Sequence, residues 1–161
     1  MQQCDPYNLQ RFVDAQNSVF EQVCSELRAG KKQSHWMWFI FTQIEGLGTS
    51  QVSRYFAISS KEEAEAYVNH AILGPRLREC SRLVNLVDGS SIDQIFGRPD
   101  GLKFRSSMTL FANATSENQV FINALQKYFG VTSINRRLTG CDGIQARLVL
   151  AALAVRQQWP A

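Results

Sequence analysis

The chain has 161 residues, 45% of them hydrophobic and 19% charged, and a net charge of +3. That length suits one domain with a real core, and the composition is ordinary for a soluble globular protein. No dense basic patch with interleaved aromatics accompanies the modest charge, so nucleic-acid binding has no support and ranks last among the functions considered.

Cys4, Cys24, Cys80 and Cys141 are widely separated. No CxxC or Cys/His spacing suggests zinc, and nothing suggests a secretory disulfide framework, so the cysteines read as reduced thiols of a cytoplasmic protein. No basic region followed by an apolar run opens the chain, which argues against a signal peptide. The apolar run at 148–155 is too short to span a bilayer, which takes about 20 residues. Lys31-Lys32 and Arg136-Arg137 are isolated pairs that suit a solvated surface.

In chain order, Asp5-Pro6 predicts a helix start: a capping carboxylate, then proline at the first helical position. Leu9, Phe12, Val13, Val19, Phe20, Val23, Cys24 and Leu27 continue it as an apolar stripe, and Gly30 closes it. Ser34 then leads into the segment around which the rest is organised, His35-Trp36-Met37-Trp38-Phe39-Ile40-Phe41. So apolar a run must be buried. Periodicity allows a helix or a buried strand, but no second convincing strand exists to pair with it. A short helix, or a helix followed by an extended turn, is expected, with Gly46 and Gly48 permitting positive backbone angles and a sharp exit.

Ser50 starts a short helix carrying Val52, Tyr55 and Phe56. Ser59 or Ser60 starts another, Ser60-Lys61-Glu62-Glu63 matching the capping box, with Ala64, Tyr67 and Val68 inward and a break at Asn69-His70. Residues 73–87 form a long helix with Pro75 near its first turn, where a missing donor does little harm. Ser91 begins a single turn burying Ile92, Ile95 and Phe96, closed by Gly97. Asp100 is expected to cap the helix of Leu102, Phe104, Met108 and Phe111, and Ser116 the helix of Val120, Phe121, Ala124, Leu125, Tyr128 and Phe129, which ends at Gly130. An alanine-rich last helix at 144–159, apolar over much of its circumference, would want burial or a partner chain. The fold class is all-α: one domain of seven or eight amphipathic helices around an aromatic-rich central segment.

Several stretches together resemble a known family. They are Asp5-Pro6-Tyr7-Asn8-Leu9-x-x-Phe12-Val13-x-Ala15-Gln16, the His35–Phe41 block with Gln43 and Gly46-Leu47-Gly48-x-Ser50, Leu73-Gly74-x-Arg76-Leu77, Ile95-Phe96-Gly97-x-Pro99-Asp100, and Lys103-x-x-Ser106-Ser107-Met108-Thr109-Leu110-Phe111. The combination is similar to domain-of-unknown-function family 1810, bacterial proteins of which some carry the label "calpastatin". The resemblance covers residues 5–130 and implies a single-domain, all-helical cytosolic protein with no established activity. The family pattern usually has proline where this chain has Thr42, and past Gly130 the chain departs from the pattern. The calpastatin label would imply inhibition of a cysteine protease, but no disordered inhibitory segment of that kind is present.

Candidate chemistry falls on few residues. His35 has a side chain whose ordinary pKa lies near neutrality and could serve as a general acid or base, or simply bond backbone groups at a helix end. Glu45, beyond the apolar run, could act as an acid if walled by hydrophobic groups, or lie exposed or arginine-paired, and Gln43 stands beside it. Trp36 and Trp38 could stack on a base or nicotinamide, or belong to the core; two residues apart, they face different directions. Lys103, Ser106 and Ser107 behind a helix N-terminus make a generic anion site, or an exposed polar face. Arg76, Arg78 and Arg82 lie on the long helix, where Arg78 and Arg82 share a face that could hold a phosphate, or where Glu79 could neutralise one of them. No Gly-rich phosphate loop, HExxH, GxSxG or dinucleotide fingerprint occurs, and no cofactor or metal is expected.

Two functions follow as expectations. One is binding or hydrolysis of a phosphate-containing small molecule such as a nucleotide or ADP-ribose derivative. The catalytic residues would be His35 and Glu45, and the ligand-binding residues Trp36, Trp38, Gln43, Lys103, Ser107, Arg76 and Arg78. The other is a non-catalytic interaction module or homo-oligomer joined through the last helix. No membrane contact is expected.

Overall fold

Short apolar stripes separated by caps and breaks give a bundle of short helices. The computed structural model describes residues 4–131, and within them the helices are α1 (Gln10–Asn17), α2 (Phe20–Arg28), α3 (Met37–Ile40), α4 (Gln51–Tyr55), α5 (Lys61–Asn69), α6 (Leu73–Leu86), α7 (Ile92–Phe96), α8 (Arg98–Ala114) and α9 (Gln119–Phe129). The fold is the all-α single domain expected, with more and shorter helices. The predicted last helix at 144–159 lies outside the described residues, among which no helix is long and apolar enough to cross a membrane.

The first correction is at the N-terminus. The stripe from Leu9 to Leu27 is two helices, α1 and α2, parted at Ser18-Val19. Asp5 does not start a helix at Pro6. Its carboxylate reaches past a turn, through Asn8 at φ 51°, to accept from the backbone N–H groups of Leu9 (2.8 Å) and Gln10 (2.9 Å). It therefore does the work of a cap at a distance, satisfying donors that the start of α1 leaves free.

Other ends follow the sequence more closely. Ser50, Ser60 and Ser91 each accept from the backbone N–H three residues on. The box is complete only at Ser91, where Gln94 bonds back. Glu63 leaves the box at Ser60 for a buried ion pair with Arg11 (2.7 Å) and bonds to the N–H and hydroxyl of Ser59. Ser116 caps nothing: α9 starts at Gln119, behind Asn118. Asp100 sits inside the first turn of α8 rather than ahead of it, because Pro99 fits the opening turn and the helix begins at Arg98.

His70 is the break foreseen at the end of α5, and more. Its Nδ1 accepts from the N–H groups of Ile72 (3.1 Å) and Leu73 (3.2 Å), capping the start of α6. Gly74 follows because a Cβ there would collide with the Val68 carbonyl oxygen.

The aromatic segment is the interior hub. Trp36, Met37, Ile40 and Phe41 are each 1–2% exposed. Phe41 packs edge-on against Phe104 of α8 (4.9 Å between ring centres) and Phe96 of α7 (5.8 Å), Trp36 against Phe96 (6.2 Å), and Phe39 against Phe56 (5.4 Å). Around it α8 packs on α5, α7 and α9, and α6 on α2, α5 and α9. The segment is one helical turn followed by an extended stretch, the second of the forms expected. The stretch satisfies its backbone with an isolated parallel bridge: Glu45 N–H donates to the Ile58 carbonyl (2.9 Å) and Ile58 N–H to the Gln43 carbonyl (3.0 Å). At Thr42, fully buried, the hydroxyl donates to the Phe56 carbonyl.

A cleft beside the tryptophan hub

The segment is held by a residue that the apolar pattern hides. Glu26 lies in α2 beside the buried Val23, Cys24 and Leu27 and is itself only 7% exposed. Its carboxylate accepts from the N–H groups of Gln33 (2.8 Å) and Ser34 (3.1 Å), the Ser34 hydroxyl (2.5 Å), the Gln22 amide (3.1 Å) and the Trp36 indole (2.8 Å). Burial pushes its pKa up, but the Gln33 amide, the Ser34 hydroxyl and the Trp36 indole outweigh that and hold it at about 2. A carboxylate that stays ionised at neutral pH thus fixes the loop entering α3, and with it the direction of both tryptophans.

Trp36 turns inward and Trp38 outward, as their spacing requires. Trp38 is half-buried against Lys103 of α8, whose ammonium lies 5.5 Å from the ring centre. Lys103 also bonds Asp100 (3.1 Å), and Lys32 pairs with the other oxygen of the same carboxylate (2.9 Å) while lying 5.4 Å from the Trp36 ring centre. Burial raises the Asp100 pKa, but the two lysines prevail and keep it below its ordinary value. Lys32 was expected to be solvated surface. Its side chain is only 10% exposed, because the ion pair at the start of α8 holds it down.

Between α3, the extended stretch, α4 and α8 lies a narrow cleft lined by Met37, Trp38, Phe41, Gln43, Ser53, Phe56 and Lys103. It admits about 10 Å³ of solvent, roughly one water molecule. Gln43 is 9% exposed, and its side-chain amide bonds no described residue; nor does the Trp38 indole N–H. The Gly46-Leu47-Gly48 turn connects the extended stretch to α4. Gly46 has φ 92°, but Gly48 is there for close approach and not for a positive angle, since a Cβ would strike the Ser53 side chain.

Three of the residues chosen from sequence therefore meet: Trp38, Gln43 and Lys103. The others are dispersed. His35 is exposed at the head of the segment. Glu45 is exposed and lines a separate open groove of about 480 Å³ with Tyr7, Arg54, Tyr55 and the Arg11–Glu63 pair. Trp36 is in the core. Ser107 is fully buried inside α8, and its hydroxyl, like that of Ser106, has no hydrogen-bond partner among the described residues. Arg76 bonds Asn17 (3.0 Å) and covers the Phe20 ring, tying α6 to the end of α1. Arg78 donates to the Val68 carbonyl (3.1 Å). Arg82 is neutralised by Glu79 (2.7 Å). Glu26, Lys32 and Ser53 were not singled out from sequence. For Glu26 the available signal is a carboxylate adjoining an apolar stripe, a position that demands partners.

Among the described residues no group of three or more His, Cys, Asp or Glu side chains could hold a metal ion. The fold and cleft define a small all-helical protein with a partly enclosed aromatic and cationic recess among the described residues. The chain belongs to the family described as "Protein of unknown function (DUF1810)", whose model matches residues 6–139 and so runs past the Gly130 limit set by the motifs. It is similar to the conserved hypothetical protein Rv1873 from Mycobacterium tuberculosis, known from a crystal structure, with 56% identity and a TM-score of 0.78 over 82% of this chain and 94% of that one. No protein of curated function matches it.

Proposed function

We propose that the chain is a binding protein for a small phosphate-containing molecule, a nucleotide or ADP-ribose derivative, recognised at the Trp38–Gln43–Lys103 cleft. The supporting observation is that the Gln43 side chain, 9% exposed, lines one recess with the Lys103 ammonium and the Trp38 indole. A side-chain amide that faces a recess and bonds no described residue is free to bond a ligand. Trp38 offers a ring to stack on, Lys103 a cation for a phosphate oxygen, and Gln43 a donor and an acceptor side by side. A recess with space for one water takes only a terminal polar group, so the body of the ligand lies across the mouth.

Binding is favoured over hydrolysis. The acid and base chosen from sequence, His35 and Glu45, do not line this cleft, and Glu45 opens onto another groove. The test is a thermal-shift and calorimetric titration with AMP, ADP-ribose and inorganic phosphate. A ligand at 100 times its Kd adds about 2.7 kcal/mol to stability. Lys103→Ala should weaken binding about tenfold or more while leaving the fold intact. No shift with any of the three, or an unchanged Kd in the variant, removes this reading.

A further inference from the structure

We infer that Asp100 is the specificity-determining residue of the Trp38–Gln43–Lys103 cleft: it makes the site take a phosphate esterified on both sides, which carries one charge, and reject a terminal phosphate, which carries two. The inference rests on the phosphate-binding reading above. It narrows that reading to linked phosphates, such as those of an ADP-ribose derivative, against the terminal phosphate of AMP.

Lys103 is the cation that lines the cleft, and its charge is already shared. The ammonium donates to Asp100 Oδ1 at 3.1 Å, and Asp100 Oδ2 pairs with Lys32 at 2.9 Å. The Lys32 side chain is covered, lies against Trp36 and does not line the cleft, whereas that of Lys103 is 28% exposed. Two ammoniums and one carboxylate leave a single positive charge. Asp93 of α7 adds a further carboxylate, its Oδ1 lying 3.0 Å from the place that a Cβ on Gly101 would take. The positive first turn of α8 is thus already served by two carboxylates and lends little field to a ligand.

Shape and charge lead to the same ligand. The recess admits about 10 Å³ of solvent, roughly one water molecule, so a phosphate stays at the mouth. A phosphate that bonds Lys103 there, while the molecule reaches inward to Gln43 and outward across Trp38, is joined on two sides. With 3.1 Å between ammonium and carboxylate and about 2.8 Å between ammonium and a bound oxygen, the phosphate comes within about 6 Å of Asp100. One negative charge there matches the single positive charge of the lysine–aspartate cluster. A second meets no further cation and is repelled by the carboxylate, inside the Debye length of about 8 Å where screening is incomplete.

The test compares AMP with its phosphate methyl ester by calorimetry on the full chain at low salt. The second phosphate pKa is about 6, so at about pH 8 AMP is a dianion and the ester a monoanion. The ester should bind about tenfold more tightly. In Asp100→Asn the amide oxygen still accepts from Lys103 while the negative charge is gone, so AMP should bind about tenfold more tightly than to the parent and the preference for the ester should vanish. A merely structural role for Asp100 would move both Kd values together and leave their ratio unchanged. The comparison on the parent needs no variant, so it decides the matter even where Asp100→Asn folds poorly. Equal affinity of the parent for the two ligands, or an unchanged ratio in a folded variant, overturns the inference and leaves the phosphate-binding reading standing. Binding of neither ligand removes that reading and this inference with it.

Discussion

Glu26 shows how one residue can decide the position of a site it does not enter. It gathers five donors, among them the Trp36 indole and two backbone N–H groups that no helix would satisfy. Its folded pKa of about 2 lies below the ordinary 4.5. The stability it contributes is therefore fully present above about pH 4.5 and is lost as pH falls toward 2, a loss on the order of 3 kcal/mol. Asp100 and Asp5 shift in the same direction and add to the acid sensitivity. Urea denaturation from pH 2 to 7 should show that slope, and Glu26→Gln should flatten it while costing about 3 kcal/mol at neutral pH through unpaired buried donors. A variant as stable as the parent at pH 7 would show that the carboxylate is dispensable.

Asn8 and Thr42 illustrate the same scale. Asn8 takes a positive φ that asparagine tolerates better than most residues. Thr42 stands where the family pattern carries proline, and its hydroxyl replaces ring rigidity with a bond to the Phe56 carbonyl. Thr42→Val keeps the shape and loses the donor, leaving a buried carbonyl oxygen short of a partner. The expected cost is about 1–2 kcal/mol, read by chemical denaturation.

At the scale of elements, close approaches matter more than propensity. Gly74 sits in the first turn of α6, where alanine is ordinarily worth about 1 kcal/mol over glycine in a helix. Here the added Cβ meets the Val68 carbonyl oxygen, which also accepts from Arg78 and is backbone that cannot swing aside. Gly74→Ala should therefore destabilise by roughly 2 kcal/mol or more, against the sign of propensity, with a lower urea midpoint as the readout. Gly48→Ala presses on the Ser53 side chain, which has less freedom than a surface group because its hydroxyl bonds Ser50. It should disturb the cleft side of α4 and cost roughly 1 kcal/mol of stability, read as a lower urea midpoint.

The element scale is also where the apolar pattern misled. A stripe from Leu9 to Leu27 with helical spacing reads as one rod, but residues 18–19 part it, and the two halves serve different neighbours. α1 meets α3, and α2 meets α6. Periodicity reports which side of a helix is apolar; it does not report that the neighbour changes halfway along.

For the whole molecule, residue types and their order determined much. Apolar residues in short, well-punctuated stripes, with serines and glycines at their ends, made an all-α single domain of short helices. Most of the apolar run at 36–41 had to be interior, since leaving it in water is costly, and Trp36, Met37, Ile40 and Phe41 are buried. Caps at Ser50, Ser60 and Ser91 and stops at Gly30 and Gly130 were legible because they act within a few residues. Trp38, Gln43 and Lys103 were chosen from sequence by residue type alone. That they share one cleft, while His35, Glu45, Ser107 and the arginines do not, was decided by the packing of α8 and α4 against the hub. The same packing made Glu26 an anchor and drew Lys32 onto Asp100. Those pairings join residues from different helices, and local chemistry cannot specify them. They are fixed only when the helices are pressed together and every buried charge and donor must find a partner at that distance.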